Sequence, residues 1–278
     1  MIRALCLLLA ALTLAACAGT SPREAAPSRD LRVVTLNIYH DRADWPARLP
    51  LIVAQLRALD ADVIALQEVL QTETLPNQAE TIAAALGYHV QFVSLDPQDR
   101  ARRYGNALLT RWPVEAHVST ALAPREDSRS MGWAQIRFDG QPINVYFTHL
   151  HAGQGGAAIR RQQLEDAMTW IEGTAGDAPS LVLGDFNAPA GADELAVLDR
   201  FVDTYGAHHP GDTETTTLNP HFFPDLRGRI DLVFAERGRF EVRDARIVLD
   251  TPDAAGTWPS DHFGVHVELR PRADTRTP

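Results

Sequence analysis

Five short β-rich runs follow one another between residues 88 and 150 with almost no helical signal among them: YHVQFVS, NALLTR, VEAHVST, WAQIRF and PINVYFTHL. Such runs read as consecutive antiparallel strands. Whatever this chain folds into must therefore place sheet at its centre.

The flanks alternate between two periods. LRVVTLNI, from Leu31, is short and β-branched, as is DVIAL over Asp62–Leu66. Between them, Pro50–Leu59 carries Leu51, Ile52, Gln55, Leu56 and Leu59 at helical spacing, and Thr81–Leu86 reads as a short helix ended by Gly87. Ala157–Glu172 is an amphipathic helix with Ile159, Leu164, Met168 and Ile171 as core positions. SLVLGDF, RIDLVF, FEVRDARIVL and HFGVHVEL are further strands. This mixture predicts an α/β chain of two packed sheets with helices outside. A length of 278 residues suits one large domain, and no repeat or internal linker divides it. Tyr205–Arg229 is poor in apolar residues and long for a loop, which marks it as a functional segment.

The first thirty residues are of another kind. Arg3 precedes an apolar run from Ala4 to Ala16 that is too short to span a bilayer, so residues 1–16 read as a signal peptide. Leu14-Ala15-Ala16-Cys17 resembles the lipobox of bacterial lipoproteins, which implies cleavage before Cys17 and acylation of its thiol. The alternative is an ordinary signal peptide with Cys17 incidental. Ala18 stands where an inner-membrane retention signal would show Asp. The expected location is therefore the cell envelope, with a lipid anchor in the outer membrane facing the periplasm. Residues 17–30 form the lipidated Cys and a flexible tether, residues 31–270 the domain and residues 271–278 a tail. Cys6 lies in the leader, so a mature chain holds Cys17 alone and no intramolecular disulfide. The formal charge of −10 argues against a stable nucleic-acid partner, which usually needs a basic face.

Polar residues able to bind cations and phosphate stand where apolar runs end. Glu68 closes DVIALQ and offers a hard oxygen to a cation such as Mg²⁺. Asn37 closes its own strand, where a neutral amide can hold water or a phosphate oxygen, or simply make an Asx turn. In LGDFNAP, Asp185 can polarise an attacking water and Asn187 can hold it or the phosphate; a plain strand-to-loop turn is the alternative. His149 and His151 lie in THLH, and Asp231 with His262 would form a carboxylate–imidazole pair. Asp261 would complete the metal shell or orient a His. The oxygen-rich set argues against zinc.

In this order, TLNIY, LQEV, YGNALLTR, THLH, LGDFNAP, RIDLVF and SDHFGV resemble the endonuclease/exonuclease/phosphatase superfamily over roughly residues 31–270. The resemblance implies a four-layer α/β/β/α sandwich of two mixed, largely antiparallel sheets with outer helices. It implies cleavage of phosphate esters with Mg²⁺ or Mn²⁺, and selects His149 as a contact to the scissile phosphate. The expected catalytic residues are His149, Asp185, Asn187, Asp231 and His262, with Glu68, Asn37 and Asp261 at the metal. Asn106 is a phosphate contact by the same likeness, and Tyr104 beside it either binds substrate or packs. Family members often carry Asp where His151 stands, and Pro where Phe263 stands. The base stays open between Asp185 and the His262–Asp231 pair. Arg160, Arg161 and Gln163 read as a solvated face or a loop clamp, Arg229 as an ion-pair partner of Asp231, and His208, His209 and His221 as loop surface. The expected activity is a phosphodiesterase acting on a phosphate-ester substrate; a nuclease and a non-catalytic envelope lipoprotein are the other readings.

Overall fold

The computed structural model of the chain describes residues 29–153 and 155–272. The expected signal peptide, Cys17, most of the tether and most of the tail lie outside the described residues. Two six-stranded sheets carry the fold. The first has the order β11 (Phe240–Val248), β12 (Gly264–Pro271), β1 (Leu31–Asn37), β2 (Val63–Gln71), β4 (Arg103–Thr110) and β3 (His89–Val93). The second has the order β5 (Ala116–Ala121), β6 (Ser130–Phe138), β7 (Gln141–His149), β8 (Ser180–Asp185), β10 (Asp231–Glu236) and β9 (Phe201–Asp203).

The five runs of the middle do not make one meander. β3–β4, β5–β6 and β6–β7 pair antiparallel, but the chain passes from the first sheet to the second between β4 and β5. Trp112 and Val114 in that passage pack into the core between the sheets, which draws the chain across.

The alternation of side chains explains the layers. In β1, Leu31 and Val33 enter the core between the sheets, while Val34 and Leu36 face the helices α1 (Trp45–Leu59) and α2 (Gln78–Leu86). In β7 and β8, Val145, Phe147, Leu181 and Leu183 face inward, and Tyr146 and Val182 face α3 (Ala157–Thr174). Strands buried on both faces read as unbroken apolar runs. Each such fully buried Leu or Val contributes about 1.5–3 kcal/mol. The result is a four-layer α/β/β/α sandwich. Among the described residues, no helix is long and apolar enough to cross a membrane.

Several boundaries differ from the sequence reading. α1 starts at Trp45, five residues before Pro50, because Asp44 caps it by accepting from the Ala47 N–H at 3.3 Å and Pro46 pre-sets its first turn. α2 starts at Gln78, capped by the Asn77 side chain. Leu164, Met168 and Ile171 are buried as expected, while Ile159 is only partly covered. The segment 205–229 is mostly turns, but its first residues belong to a short helix, α4 (Thr204–His208), and Leu218 makes an isolated bridge to His262.

Strand direction brings the chemistry to one edge. β1 runs parallel to β2, and β7 parallel to β8, so Asn37, Glu68, His149 and Asp185 all come at or near strand C-termini. β4, β10 and β12 run antiparallel to these neighbours, so Tyr104, Asn106, Asp231 and the segment before Gly264 arrive at the same edge. His149, Asp185 and Asp231 are direct register partners across three adjacent strands.

Candidate active site

Asp185 is the hub. It is buried, and its Oδ2 accepts from Asn37 Nδ2 at 3.0 Å, which joins the two sheets through side chains 148 positions apart. Its Oδ1 accepts from the Asn187 backbone N–H at 2.9 Å. His149 Nε2 and His262 Nδ1 stand 3.5 and 3.8 Å from Oδ2. The preceding Gly184 has φ 149°, and a Cβ there would lie 1.9 Å from the Thr148 carbonyl oxygen. Only glycine permits β7 and β8 to close up beneath the site.

Asp231 and His262 form the expected pair, Oδ2 to Nδ1 at 2.8 Å, with both residues buried. The Thr217 hydroxyl accepts from the Asp231 N–H at 3.2 Å, and the Ser260 hydroxyl accepts from the His262 N–H at 3.2 Å. Ser260 also donates to the Asn37 carbonyl at 2.6 Å, so the segment before β12 is fastened to the end of β1. Phe263, where the resemblance leads to an expected Pro, keeps an N–H that donates to the Thr217 carbonyl at 2.7 Å. That bond locks the turn-rich segment against the site.

Glu68 reaches the site by a local deformation. The β2–β4 register shifts between Leu66 and Val69, and Glu68 adopts φ 59°. A bulge of this kind re-aims a side chain that regular pleating would send elsewhere. The Glu68 carboxylate stands 3.9 Å from His40 Nε2, with the Tyr104 phenol close enough to feel its charge. Tyr104 is pushed well above the usual phenol range by its burial and by the Glu68 charge.

The charges follow from burial and crowding. Asp185 is raised by burial first and by the charge of Asp231 second. Asp261 is raised to about 6, again by burial, with Glu68 adding to it. Burial opposes charge on His262, but Asp231, aided by Asp185 and Asp261, outweighs it and lifts the imidazole to about 10. His149 is held well below its ordinary value by burial, by the Arg129 charge and by His262. One imidazole is thus cationic at neutral pH and the other neutral.

The remaining expected residues are placed as follows. Asn187 Nδ2 donates to the Leu150 carbonyl at 3.0 Å, so the amide nitrogen is committed to holding a loop. Asn106 is buried and lines a small recess with His149, Arg129, Tyr104 and Ser128. His151 Nδ1 lies 2.9 Å from Asp127, which also accepts from Gln163 at 2.8 Å. Arg160 is buried against Glu194 at 2.7 Å, so Arg160 and Gln163 are clamps and Arg161 alone is exposed. Arg229 does not pair with Asp231; its guanidinium meets Asp203 at 2.7 Å and lies over the Tyr205 ring. His208 and His209 lie against β11, and His221 stacks on Trp258.

Two residues were not found by sequence reasoning. Arg129 puts a cation beside His149, yet in REDSRSM it looks like any surface charge. Arg48 is fully buried and donates to the carbonyls of Ile38, Tyr39, His40, Arg42 and Pro259 at 2.7–3.1 Å. It ties the loop after β1 to the loop before β12. Its helical spacing with Trp45 and Ile52 is the only sequence signal for a buried position.

Four carboxylates, Glu68, Asp185, Asp231 and Asp261, therefore share one edge, and Asp231 Oδ1 is buried without a hydrogen-bond partner. Asp185, Asp231 and His262 present ligand-type atoms within 4.8 Å of one another, but the cationic imidazole is bonded to Asp231, so Glu68 and Asp261 are the carboxylates left open to a cation. Hard oxygen donors with an unsatisfied buried oxygen among them suit a divalent cation of the Mg²⁺ type.

Comparison with known proteins bears on the family and the fold. The family model described as Endonuclease/Exonuclease/phosphatase family matches residues 34–262. The uncharacterized protein YbhP of Escherichia coli K12 is 27% identical over 175 residues, covering 56% of this chain and 66%, just under two thirds, of that protein. The fold is similar to that of D. rerio TDP2 complexed with single-strand DNA product, at TM-score 0.73 and 18% identity, covering 87% of this chain and 99% of that one. It is also similar to a Bacteroides thetaiotaomicron mannosyl-6-phosphatase, at TM-score 0.68 and 18% identity, covering 86% and 99%.

Proposed function

Because the chain belongs to the endonuclease/exonuclease/phosphatase family, we propose that it is a divalent-metal-dependent hydrolase of phosphate esters, with phosphodiesters as its main substrates. The observation that carries this reading is Asp185, buried, raised towards neutrality and bonded to Asn37 from the opposite sheet.

Glu68 and Asp261 would hold the cation, with the Asn37 and Asp185 side chains beside it. A bound Mg²⁺ or Mn²⁺ supplies positive charge to the phosphoryl and leaving oxygens. The residues do the rest. Asp185 is the base: it is held by Asn37 and by the Asn187 N–H, and its raised pKa suits proton abstraction from water near neutral pH. His262 cannot take that role at neutral pH, because Asp231 keeps it protonated. Its Nδ1 is turned to Asp231, which leaves Nε2 to donate to a phosphate oxygen as charge builds there. His149, neutral, donates a second hydrogen bond, and Arg129 and Asn106 line the recess beside it. Asn187 acts by fixing Asp185 and the loop at Leu150.

The test is hydrolysis of bis-p-nitrophenyl phosphate. Activity should vanish with EDTA and return with Mg²⁺ or Mn²⁺, and Asp185→Asn should lower kcat by a factor on the order of 10² or more. Full activity in metal-free buffer would sink the reading. We also propose that the chain is a lipoprotein of the cell envelope anchored through Cys17, a reading supported by the sequence of residues 1–30. Metabolic labelling with palmitate should mark the wild type and leave Cys17→Ala unlabelled.

A further inference from the structure

His266 on β12 is fully buried, yet neither Nδ1 nor Nε2 has a hydrogen-bond partner. A neutral imidazole carries one N–H and one lone pair, and the interior normally satisfies both. This ring therefore calls for an explanation.

Two carboxylates close on the same space. Asp244, His266 and Glu268 each bring a ligand atom within 4.8 Å of the other two. Ala245, Val265 and Val267 alternate with them and fill the core between the sheets, so the three polar residues share the opposite face of the first sheet. Both carboxylates are partly exposed, which puts the ring at the bottom and the acids at a solvent rim.

A bulge creates the arrangement. The β11–β12 register shifts between Val242 and Asp244, so Glu268 faces Asp244 and not Arg243, which an unbroken ladder would set there. Arg243 turns to Glu241 instead. Like charges directly opposite one another on adjacent strands repel. The bulge thus exchanges an ion pair for a carboxylate pair over an unpartnered imidazole.

The neighbouring arginines leave the ring unsatisfied. Arg246, exposed, meets Asp244 Oδ2 at 3.3 Å, and Arg32, opposite Glu268 on β1, bonds Asp60 at 2.8 Å. Asp244 Oδ1 stands 3.8 Å from His208 Nε2. His208 belongs to α4, which is held to β11 by His209 Nε2 at 2.6 Å from the Ala245 carbonyl. A polar side chain behind a ligating carboxylate is a common outer partner of a metal.

We propose that Asp244, His266 and Glu268 form a structural site for a divalent transition metal of the Zn²⁺ type, separate from the hydrolytic edge, with His208 orienting Asp244. An imidazole nitrogen beside two carboxylates suits Zn²⁺ and not Mg²⁺, which takes oxygen ligands. Ligands at about 2.1 Å lie closer together than 4.8 Å, so the rim carboxylates rotate inward as the ion enters. The ion neutralises the carboxylate pair, occupies the lone pair of His266 and fastens the edge strand β11 to β12. None of this depends on the hydrolase reading.

The experiment is calorimetric titration of the full-length, untagged protein with Zn²⁺ in excess Mg²⁺. The wild type should take up Zn²⁺ at this site and unfold at a higher temperature with it. His208→Ala should weaken the affinity by roughly 10- to 100-fold, the range of an outer partner, and the isosteric Asp244→Asn and Glu268→Gln by more. In a ¹⁵N-histidine sample, the ring signals absent from His266→Leu should shift on Zn²⁺ addition; Asp244→Asn and Glu268→Gln keep the test open if His266→Leu does not fold. Glu68→Gln should leave this uptake intact. No Zn²⁺ uptake, uptake unchanged in both Asp244→Asn and Glu268→Gln, or uptake lost in Glu68→Gln alone would overturn the proposal.

Discussion

Asp231 grips His262 Nδ1 through Oδ2 at 2.8 Å, while its Oδ1 meets no hydrogen-bond donor. A buried carboxylate bonded on one side only keeps most of its charge for the imidazole. That is why His262 stays protonated despite its burial, at about 10. The charged form exists in the folded protein at every pH below about 10 and is lost as pH rises through that value. Asp231→Asn removes the main cause of the shift and leaves burial, which acts the other way. The pH–rate profile of the variant should lose its alkaline side, with activity at pH 8 down at least about tenfold. An unchanged profile would show that the His262 charge does not serve catalysis.

Glu68→Gln keeps the shape of the bulge and removes a hard anionic ligand. Activity should then need a higher Mg²⁺ concentration for half-saturation, and kcat at saturating metal should fall by a factor on the order of 10². A metal titration of the rate checks both.

Gly184→Ala should destabilise the fold by about 2–4 kcal/mol, since its Cβ would collide with a backbone oxygen and φ 149° is strained for alanine. Gly87→Ala is the control. Its φ of 78° closes α2 in open space, so the cost should be about 1 kcal/mol. Urea unfolding of the two variants separates collision from torsion.

His266 on β12 is fully buried, and both ring nitrogens lack hydrogen-bond partners. Burial, then the charge of Arg246, lowers it to about 4. Between that value and its ordinary 6.5 the unfolded chain binds the proton that the folded chain refuses. Stability is therefore fully present above pH 6.5 and declines as pH falls towards 4, by at most about 3 kcal/mol from this group. The difference in unfolding free energy between wild type and His266→Leu should change with pH over that window. A constant difference would show that His266 titrates normally.

The sequence made the fold legible because β-branched runs and helical spacing agree with the layers at most positions, as in LRVVTLNI and in Leu164, Met168 and Ile171. It could not show that the chain changes sheets between Arg111 and Glu115, since periodicity describes an element and not its neighbour. At the site, residue types at strand ends pointed to Asn37, Asp185 and His262 because polar groups there interrupt apolar runs. Arg129 stayed hidden because an arginine aimed inward and one aimed at water look alike in a charged loop. Arg229 was assigned the wrong partner for a similar reason: proximity in sequence to Asp231 says nothing about direction, and Asp203 lies across the sheet.

The buried guanidinium of Arg48 has a practical consequence for mutagenesis. It touches neither the hub nor the recess, yet five carbonyls on both sides of the crevice depend on it. A screen that scores only turnover would rank its loss with that of the acids and imidazoles. Only a parallel reading of how much enzyme remains intact would separate a keystone from a reagent.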